Sequence, residues 1–261
     1  MFTETNRNGL TFFSSDNISC AHAFSTRLGG VSVLPHLRSL NLGENRGDDP
    51  ENVKKNYDLF LGALGLRRED LVLARQIASC EVRYASEDDR GRIIDGCDGF
   101  VTDRPGIVLG VKTADCVPIL YFDRKARVIG AAHAGWRGAV GGIAAVTVER
   151  MKELGASADD LEVALGPAIM PCCYEVGEDF RQSVINIAGE GFCEKYVKPR
   201  EGGKYTGDLI GMNLEYLRRA GIKDENISVS GRCTCHEPGL FFSHRYGKGQ
   251  RGVMCSVIAM K

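Results

Sequence analysis

Three features are missing from this sequence of 261 residues, and each absence excludes a class of protein. No basic run contains interleaved aromatic residues, and 33 basic against 34 acidic residues leave a net charge of −1, so the charge does not favour nucleic acid or an anionic membrane as a partner. No apolar stretch approaches the roughly 20 residues that span a bilayer. Residues 1–7 lack the basic and then apolar order of a secretory signal. We therefore expect a cytoplasmic protein that acts on a small molecule, and we expect it to be a monomer.

Cysteine is abundant, with ten residues, and an even number raises the question of a secreted disulfide framework. The length of the chain, the missing signal and the irregular spacing of the cysteines argue against one. In a reducing compartment most of these thiols are buried small hydrophobic groups, and only a few are expected to do chemistry.

The hydrophobic pattern predicts one domain over residues 1–261, because no repeat, low-complexity tract or linker divides it. Asp49 and Pro50 have the residue types of a helix N-cap and first helical position, and a helical pattern follows to residue 64. Further predicted helices and strands alternate along the chain: strands at 106–111, 117–122, 128–133 and 161–165, helices at 137–154, 178–188 and 208–220, and apolar runs at 227–229 and 253–260. A short polar connection makes the second and third strands a hairpin, so the fold class is α/β (α+β), with mixed sheets flanked by helices.

Cys116 and His133 are the strongest candidates for chemistry, because each stands at the end of a predicted buried strand. Thiolate and imidazole suit zinc or copper as metal ligands. The same pair suits a nucleophilic thiol activated by a base. A buried cysteine with a hydrogen-bonded core histidine is a third interpretation, and the spacing does not separate the three.

Four further residues are candidates for the same site. Arg137 opens a predicted helix, whose unpaired N–H groups favour an anion. Arg27 lies in a glycine-rich loop suited to phosphate, and Arg245 is another candidate phosphate ligand. Asp115 could orient a ligand, act as a general base or be a structural carboxylate at a strand end.

A second group of sulfur-containing residues is less informative in the sequence. Cys233, Cys235 and His236 suggest a metal, but no second ligand pair stands at zinc-finger spacing, so we expect structural thiols. Cys172 and Cys173 are adjacent, and we expect them to be buried packing in a turn.

Several blocks together resemble the YfiH-like laccase-domain family, in order over most of the chain: residues 24–32, 40–43, 113–116, 133–138, 166–169, 172–177, 233–234 and 241–245. The resemblance implies a single domain of mixed sheets flanked by helices. It also implies zinc-dependent phosphorolysis of adenosine, inosine and methylthioadenosine, together with adenosine deamination. The family has also been labelled a multicopper polyphenol oxidase, but five histidines are too few for that chemistry.

The metal site implied by the resemblance is a His–Cys–His set, and Cys116 and His133 match two of its ligands. Ala78 occupies the position of the other histidine, in a segment that begins at Gln76. Alanine cannot bind a metal, so we expect weakened binding of zinc, with copper as the alternative. If the segment is extended, residues 78 and 80 share a face, and Cys80 is then a substitute ligand.

Three functions remain open. The first is nucleoside phosphorolysis, impaired by Ala78. The second is a Cys–His hydrolase with Cys116 as the nucleophile, acting on an amide such as a peptidoglycan precursor. The third is a catalytically silent binding protein.

Overall fold

The computed structural model describes residues 1–260, in which strands outnumber helices. The strands are β1 Phe2–Arg7, β2 Leu10–Ser15, β3 Ala21–Ser25, β4 Leu71–Arg75, β5 Val82–Tyr84, β6 Ile93–Asp95, β7 Gly99–Thr102, β8 Val108–Thr113, β9 Val117–Asp123, β10 Val128–Ala134, β11 Leu161–Leu165, β12 Glu175–Val176, β13 Val197–Arg200, β14 Lys204–Gly207, β15 Ile227–Val229 and β16 Met254–Ala259. The helices are α1 Pro50–Ala63, α2 Trp136–Gly141, α3 Ile143–Lys152, α4 Glu178–Ala188, α5 Glu190–Tyr196 and α6 Leu209–Arg219. Short 3-10 turns lie at Arg68–Asp70, Glu87–Asp89, Glu201–Gly203 and Asp224–Asn226.

Two large mixed sheets form the body of the fold. One has the strand order β1-β2-β3-β16-β8-β4-β6, and the other has β15-β11-β9-β10-β7-β5; both contain parallel and antiparallel pairs. A small antiparallel sheet, β12-β14-β13, lies apart from them. The predicted fold class of mixed sheets flanked by helices is therefore confirmed.

The central strands are buried on both faces, which explains their continuous apolar runs. Every residue of β9, β10 and β16 is buried. Leu120, Ile129 and Ile258 are among the residues that form the core between the two large sheets, while α2, α3 and α6 cover the outer face of the second sheet. The site residues discussed below therefore lie at the ends of rigid, buried strands.

The predicted hairpin is present as β9 and β10, which pair from Val128 with Asp123 to Ala134 with Val117. The Asp123 carboxylate accepts hydrogen bonds from the backbone N–H groups of Lys125 and Ala126, at 2.8 and 2.9 Å. This side chain closes the turn locally, as aspartate commonly does.

The prediction of one helix over residues 137–154 is wrong, because Gly142 divides it into α2 and α3. Gly142 has a φ of 83°, in the left-handed region. A Cβ atom there would lie 2.9 Å from the ring of Tyr216. The Tyr216 hydroxyl donates to the carbonyl of Val140 at 2.7 Å, so α6 holds the end of α2 where the helix breaks.

Other boundaries agree with the sequence to within two residues. The Asp49 carboxylate caps α1 by accepting from the N–H of Glu51 at 2.9 Å, as its residue type predicts. The strand predicted at 106–111 begins two residues later, at Val108. The sequence did not reveal β1 to β7 or the small sheet. No helix within residues 1–260 is long and apolar enough to cross a membrane.

Candidate active site

Cys116 and His133 are brought together by the hairpin. Cys116 precedes β9 and is half-buried, while His133 is the penultimate residue of β10 and is 8% exposed. Their side chains are neighbours that interact electrostatically. Gly135 leaves them room, because a Cβ atom at that position would lie 3.3 Å from His133 Cε1 and 3.5 Å from Cys116 Sγ.

Asp98, which the sequence did not single out, holds this pair in place. It is fully buried between β6 and β7. The Nδ1–H of His133 donates to its Oδ1 at 2.8 Å, and the backbone N–H of His133 donates to its carbonyl at 2.7 Å. Because Nδ1 is bound to Asp98, Nε2 is the ring nitrogen free to meet the Cys116 thiol, a proton or a metal.

The electrostatics of the pair favour a protonated imidazole. Burial alone lowers the pKa of His133, but the negative charge and hydrogen bonds of Cys116 and Asp98 outweigh it and raise the pKa to about 9. Burial disfavours the charged form of Asp98 as well, which for a carboxyl group raises the pKa. The hydrogen bonds from His133 and Ser79 outweigh this effect and hold the pKa of Asp98 below its usual value. The two residues form a buried ion pair at neutral pH.

Ala78 lies in the loop that Asp98 organises. The Asp98 carboxylate accepts from the backbone N–H groups of Ile77, Ala78 and Ser79, at 3.2, 3.0 and 2.7 Å. Ala78 has a φ of 58°, in the left-handed region, which histidine tolerates better than alanine does. The loop therefore holds residue 78 in an unusual backbone conformation through Asp98, the partner of His133.

The segment at residues 78 to 80 is not extended, since Ala78 is left-handed. Cys80 is not placed as a substitute ligand. Its thiol lies 3.7 Å from the carbonyl of Gly138, and a Cβ atom on Gly141 would lie 2.7 Å from its sulfur, so the side chain packs beneath α2. Within residues 1–260, Cys80, Cys116 and His133 do not form a group of ligand atoms close enough to share a metal ion.

The residues present do not fit a three-ligand zinc site. Cys116 and His133 offer one sulfur and one nitrogen, and Asp98 supports His133 in the manner of a carboxylate behind a metal-bound imidazole. A catalytic zinc requires three protein ligands, and Ala78 offers none. The pair and its supporting carboxylate therefore offer two of the three ligands that such a site needs.

Asp115 is a structural connection between loops. Its φ is 93°, and both carboxylate oxygens are engaged, Oδ1 by the Thr234 hydroxyl at 2.6 Å and Oδ2 by the backbone N–H of Arg245 at 2.7 Å. Its own carbonyl accepts from the N–H of Ile169 at 2.8 Å. These bonds favour the structural interpretation of Asp115 over a general base.

None of the three arginines predicted to bind phosphate lines the cavity beside the Cys116–His133 pair. Arg27 donates to the carbonyls of Arg38 and Pro238 and lines a separate groove of about 860 Å³. Arg137 is exposed, with its guanidinium 4.2 Å from the centre of the Trp136 ring. Arg245 is exposed and donates to the carbonyl of Cys173 at 3.1 Å.

Different cations line the cavity beside the pair. This cavity, of about 370 Å³, has Cys116, His133, Arg46, Lys112 and Arg251 in its wall. Lys112 is paired with Glu44 at 3.4 Å. Nε and one terminal nitrogen of Arg251 are buried without a hydrogen-bond partner. Burial, together with the nearby charge of Arg46, lowers the pKa of the Arg251 guanidinium.

An unpartnered buried guanidinium beside a second arginine is suited to an anion, because Arg251 retains donors that nothing in the protein satisfies. Little in the sequence indicates this role. Arg251 stands in a glycine-rich C-terminal segment next to no other candidate, and Arg46 lies in an exposed loop before α1.

The second group of cysteines forms a cluster that the sequence did not predict. Cys172, Cys173, Cys233 and His236 each offer a ligand atom, and these atoms all lie within 4.8 Å of one another. Cys172 is exposed and Cys173 is half-buried, so the expectation of buried packing is wrong. Cys172 and Cys173, from a loop distant in the sequence, supply the second ligand pair for Cys233 and His236. We call these four residues the Cys3His cluster.

Comparison with known proteins agrees with this architecture. Residues 21–261 match the family model described as multi-copper polyphenol oxidoreductase laccase. The chain is 41% identical over 252 residues to a protein of Deinococcus radiodurans named purine nucleoside phosphorylase, covering 97% of this chain and 94% of that one. It is 36% identical to the adenosine deaminase RL5 of an unidentified prokaryote, with 88% and 90% covered.

A solved structure shows the same fold. YlmD from Geobacillus stearothermophilus superposes with a TM-score of 0.90 and 33% sequence identity, covering 100% of this chain and 98% of that one. The sequence match, the shared fold and the paired Cys116 and His133 agree with the resemblance read from the sequence. The chain belongs to the YfiH-like laccase-domain family, whose relatives named here are purine nucleoside phosphorylases and an adenosine deaminase.

Proposed function

We propose that this protein is a cytoplasmic, monomeric purine nucleoside phosphorylase that acts on adenosine, inosine and methylthioadenosine, and that Ala78 impairs its metal-dependent activity. Relatives named for this activity support the proposal. The observation that carries it is the cavity in which the free guanidinium donors of Arg251 share a wall with Cys116 and His133. An anion site beside a protonated imidazole suits phosphorolysis, because the first can hold phosphate and the second can protonate the departing base.

We propose separate tasks for the residues of the cavity. Arg251 and Arg46 hold phosphate, one of whose oxygens attacks the anomeric carbon of the ribose. The C–O bond forms as the bond to the purine nitrogen breaks, and the electron pair of that bond goes to the purine. His133, protonated at neutral pH, donates a proton to the departing base. Hydrogen phosphate returns that proton to His133, so the products are the neutral purine and ribose 1-phosphate.

Zinc has a reduced role in this proposal. The Cys116–His133 pair alone is a poor zinc site, so we expect weak binding of zinc or copper there. Adenosine deamination needs a water activated by a metal ion, and the Cys116–His133 pair offers only two ligands for that ion. We therefore expect deamination to be weaker than phosphorolysis.

The test measures purine release from inosine and adenosine with and without phosphate. We expect release that requires phosphate and yields ribose 1-phosphate. Arg251→Ala should raise the KM for phosphate about 10- to 100-fold, in keeping with the loss of a charge-assisted contact. Arg137→Ala, which removes an arginine that lies over Trp136, is the matched control and should leave that KM unchanged. Purine release that is indifferent to phosphate would contradict the proposal.

A second candidate function is favoured by one observation, the chain of contacts from Cys116 to His133 to Asp98. A thiol, an imidazole and a buried carboxylate in this order are the parts of a cysteine hydrolase. Such an enzyme would cleave an amide, for example in a peptidoglycan precursor. An amide-directed electrophile should then label Cys116 without metal, and Asp98→Asn should slow the labelling. Absence of labelling at Cys116 would exclude this alternative.

A further inference from the structure

We propose that the Cys3His cluster is a zinc site distinct from the Cys116–His133 pair, and that its ion fastens together the two loops that hold Asp115. Three thiols and one imidazole form a donor set that selects zinc among the common divalent ions of cells. The inference does not rest on the proposed function, since it concerns other residues and a structural role.

The distances within the cluster match a tetrahedral site. With Zn–S bonds of about 2.3 Å and Zn–N bonds of about 2.0 Å, tetrahedral ligands stand about 3.8 Å apart for two sulfurs and about 3.5 Å for sulfur and nitrogen. Cys172 Sγ lies 3.9 Å from Cys173 Sγ and 3.4 Å from His236 Nδ1. All four ligand atoms are within 4.8 Å of one another, so an ion needs only a small contraction of the side chains.

The backbone holds the two halves of the cluster at this separation. Ala168 and Cys233 form an isolated parallel bridge between the loop after β11 and the loop after β15. The N–H of Ala168 donates to the carbonyl of Arg232 at 3.2 Å, and the N–H of Thr234 donates to the carbonyl of Ala168 at 3.1 Å. The cluster is therefore assembled by main-chain bonds and does not depend on chance contact of surface side chains.

Four protein ligands make a closed coordination sphere, which is typical of structural zinc. Cys172 and His236 are exposed, so an ion can enter from solvent, while Cys233 is buried at 5% exposure and anchors the site in the protein. Cys235 is half-buried beside the cluster, and four neighbouring thiols would be open to oxidation without an ion.

The position of the cluster links it to the active site. Thr234 follows Cys233 directly, and its hydroxyl donates to Asp115, the neighbour of Cys116. Arg245 donates from its side chain to the carbonyl of Cys173 and from its backbone N–H to Asp115. An ion that fixes both loops therefore fixes the partners of Asp115, so the cluster residues are positioning residues and not catalytic ones.

The experiment titrates zinc into the reduced full-length protein, in competition with a chromophoric chelator. The variant Cys172→Ser with His236→Asn removes two exposed ligands without disturbing the core, and Cys116→Ala removes the other site. We expect the double variant to lose at least about 100-fold in zinc affinity, since loss of supporting groups alone costs about 10- to 100-fold. Cys116→Ala should keep the affinity of the wild-type chain, as should Cys20→Ser, a thiol outside both sites.

Two further readouts identify the site directly. Cobalt bound at the cluster should give intense thiolate charge-transfer bands, which the double variant lacks and Cys116→Ala retains. Zinc should slow hydrogen exchange in residues 166–177 and 230–245 of the wild-type chain. Zinc affinity lost in Cys116→Ala but kept in the double variant would overturn the proposal. So would absence of zinc uptake, whether the thiols remain free or pair as a disulfide detected by mass spectrometry.

Discussion

The Cys116–His133 pair and the Cys3His cluster are built in opposite ways. The pair lies at the ends of two buried strands, supported by a carboxylate that accepts from the imidazole and from three backbone N–H groups, but it has only two potential metal ligands. The cluster lies on two loops and has four. The Cys116–His133 pair is held by many hydrogen bonds but has too few ligands for a zinc ion. The Cys3His cluster has four ligands, but it lies on loops.

This difference shows that ligand number and rigidity of the site are separate properties of the fold. Asp98 holds the loop at residues 77–79 whether or not residue 78 can bind a metal, because it bonds main-chain groups. The geometry of the pair therefore does not depend on a metal ligand at position 78. In the cluster, two of the four ligands are exposed, so we expect the loops to gain order from the ion itself.

The largest effect should come from Asp98→Ala, which leaves His133 and three backbone N–H groups without their partner. Breaking a buried ion pair from one side costs about 3–5 kcal/mol, and we expect the free energy of unfolding in urea to fall by that amount. Asp103→Ala, which removes a half-buried acceptor of the Tyr84 hydroxyl, is the control and should cost about 1 kcal/mol. An equal loss in the two variants would show that Asp98 is not the support we describe.

The second effect is on the pH dependence of stability, measured in the presence of a chelator. The pKa of His133 is raised from 6.5 to about 9, so its contribution is complete below pH 6.5 and is lost as the pH rises through about 9. The pKa of Asp98 is lowered from 3.8, so its contribution is present above pH 3.8 and is lost as the pH falls through the lower folded value.

The expected alkaline loss is up to about 3 kcal/mol between pH 6.5 and pH 9. His133→Gln should flatten that limb of the curve, while substitution of His236 in the cluster should leave it as it is. A wild-type profile that is level over this range would contradict the charge state assigned to His133.

A site is predictable from the sequence to the extent that its residues lie close together along the chain. Cys116 and His133 are recognisable because a short hairpin joins them, and hairpins follow from local patterns. Asp98 bonds His133 from 35 positions away, and Cys172 meets His236 from 64 positions away. No local pattern records such contacts, because they depend on how the sheets and loops pack.

The backbone conformation of Ala78 is likewise not predictable from the local sequence. Its left-handed conformation follows from three hydrogen bonds to Asp98, so alanine, which favours a helix or an extended chain, gives no sign of it. The break at Gly142 is similar, since it depends on Tyr216 of a distant helix. The fold class was predictable because buried strands and amphipathic helices carry periodic patterns.

The smallest effect concerns this strained backbone. Ala78→Gly relieves an alanine held at a φ of 58°, and the gain is partly offset by the greater freedom of glycine in the unfolded chain. We expect a stabilisation of less than about 1 kcal/mol by thermal unfolding. Ala145→Gly, in the first turn of α3, should instead destabilise by up to about 1 kcal/mol. A loss of similar size at position 78 would place Ala78 outside the left-handed region.

The central claim is that the Cys116–His133 pair is a metal site lacking one ligand, at position 78. The most direct test is Ala78→His, made in the chain that already carries Cys172→Ser and His236→Asn so that the cluster does not contribute zinc. Zinc affinity and the rate of phosphate-dependent purine release are measured together. We expect both to rise at least about tenfold over the parent chain, and the gain in zinc affinity to disappear when Cys116→Ala is added. Unchanged zinc affinity after Ala78→His would contradict the claim.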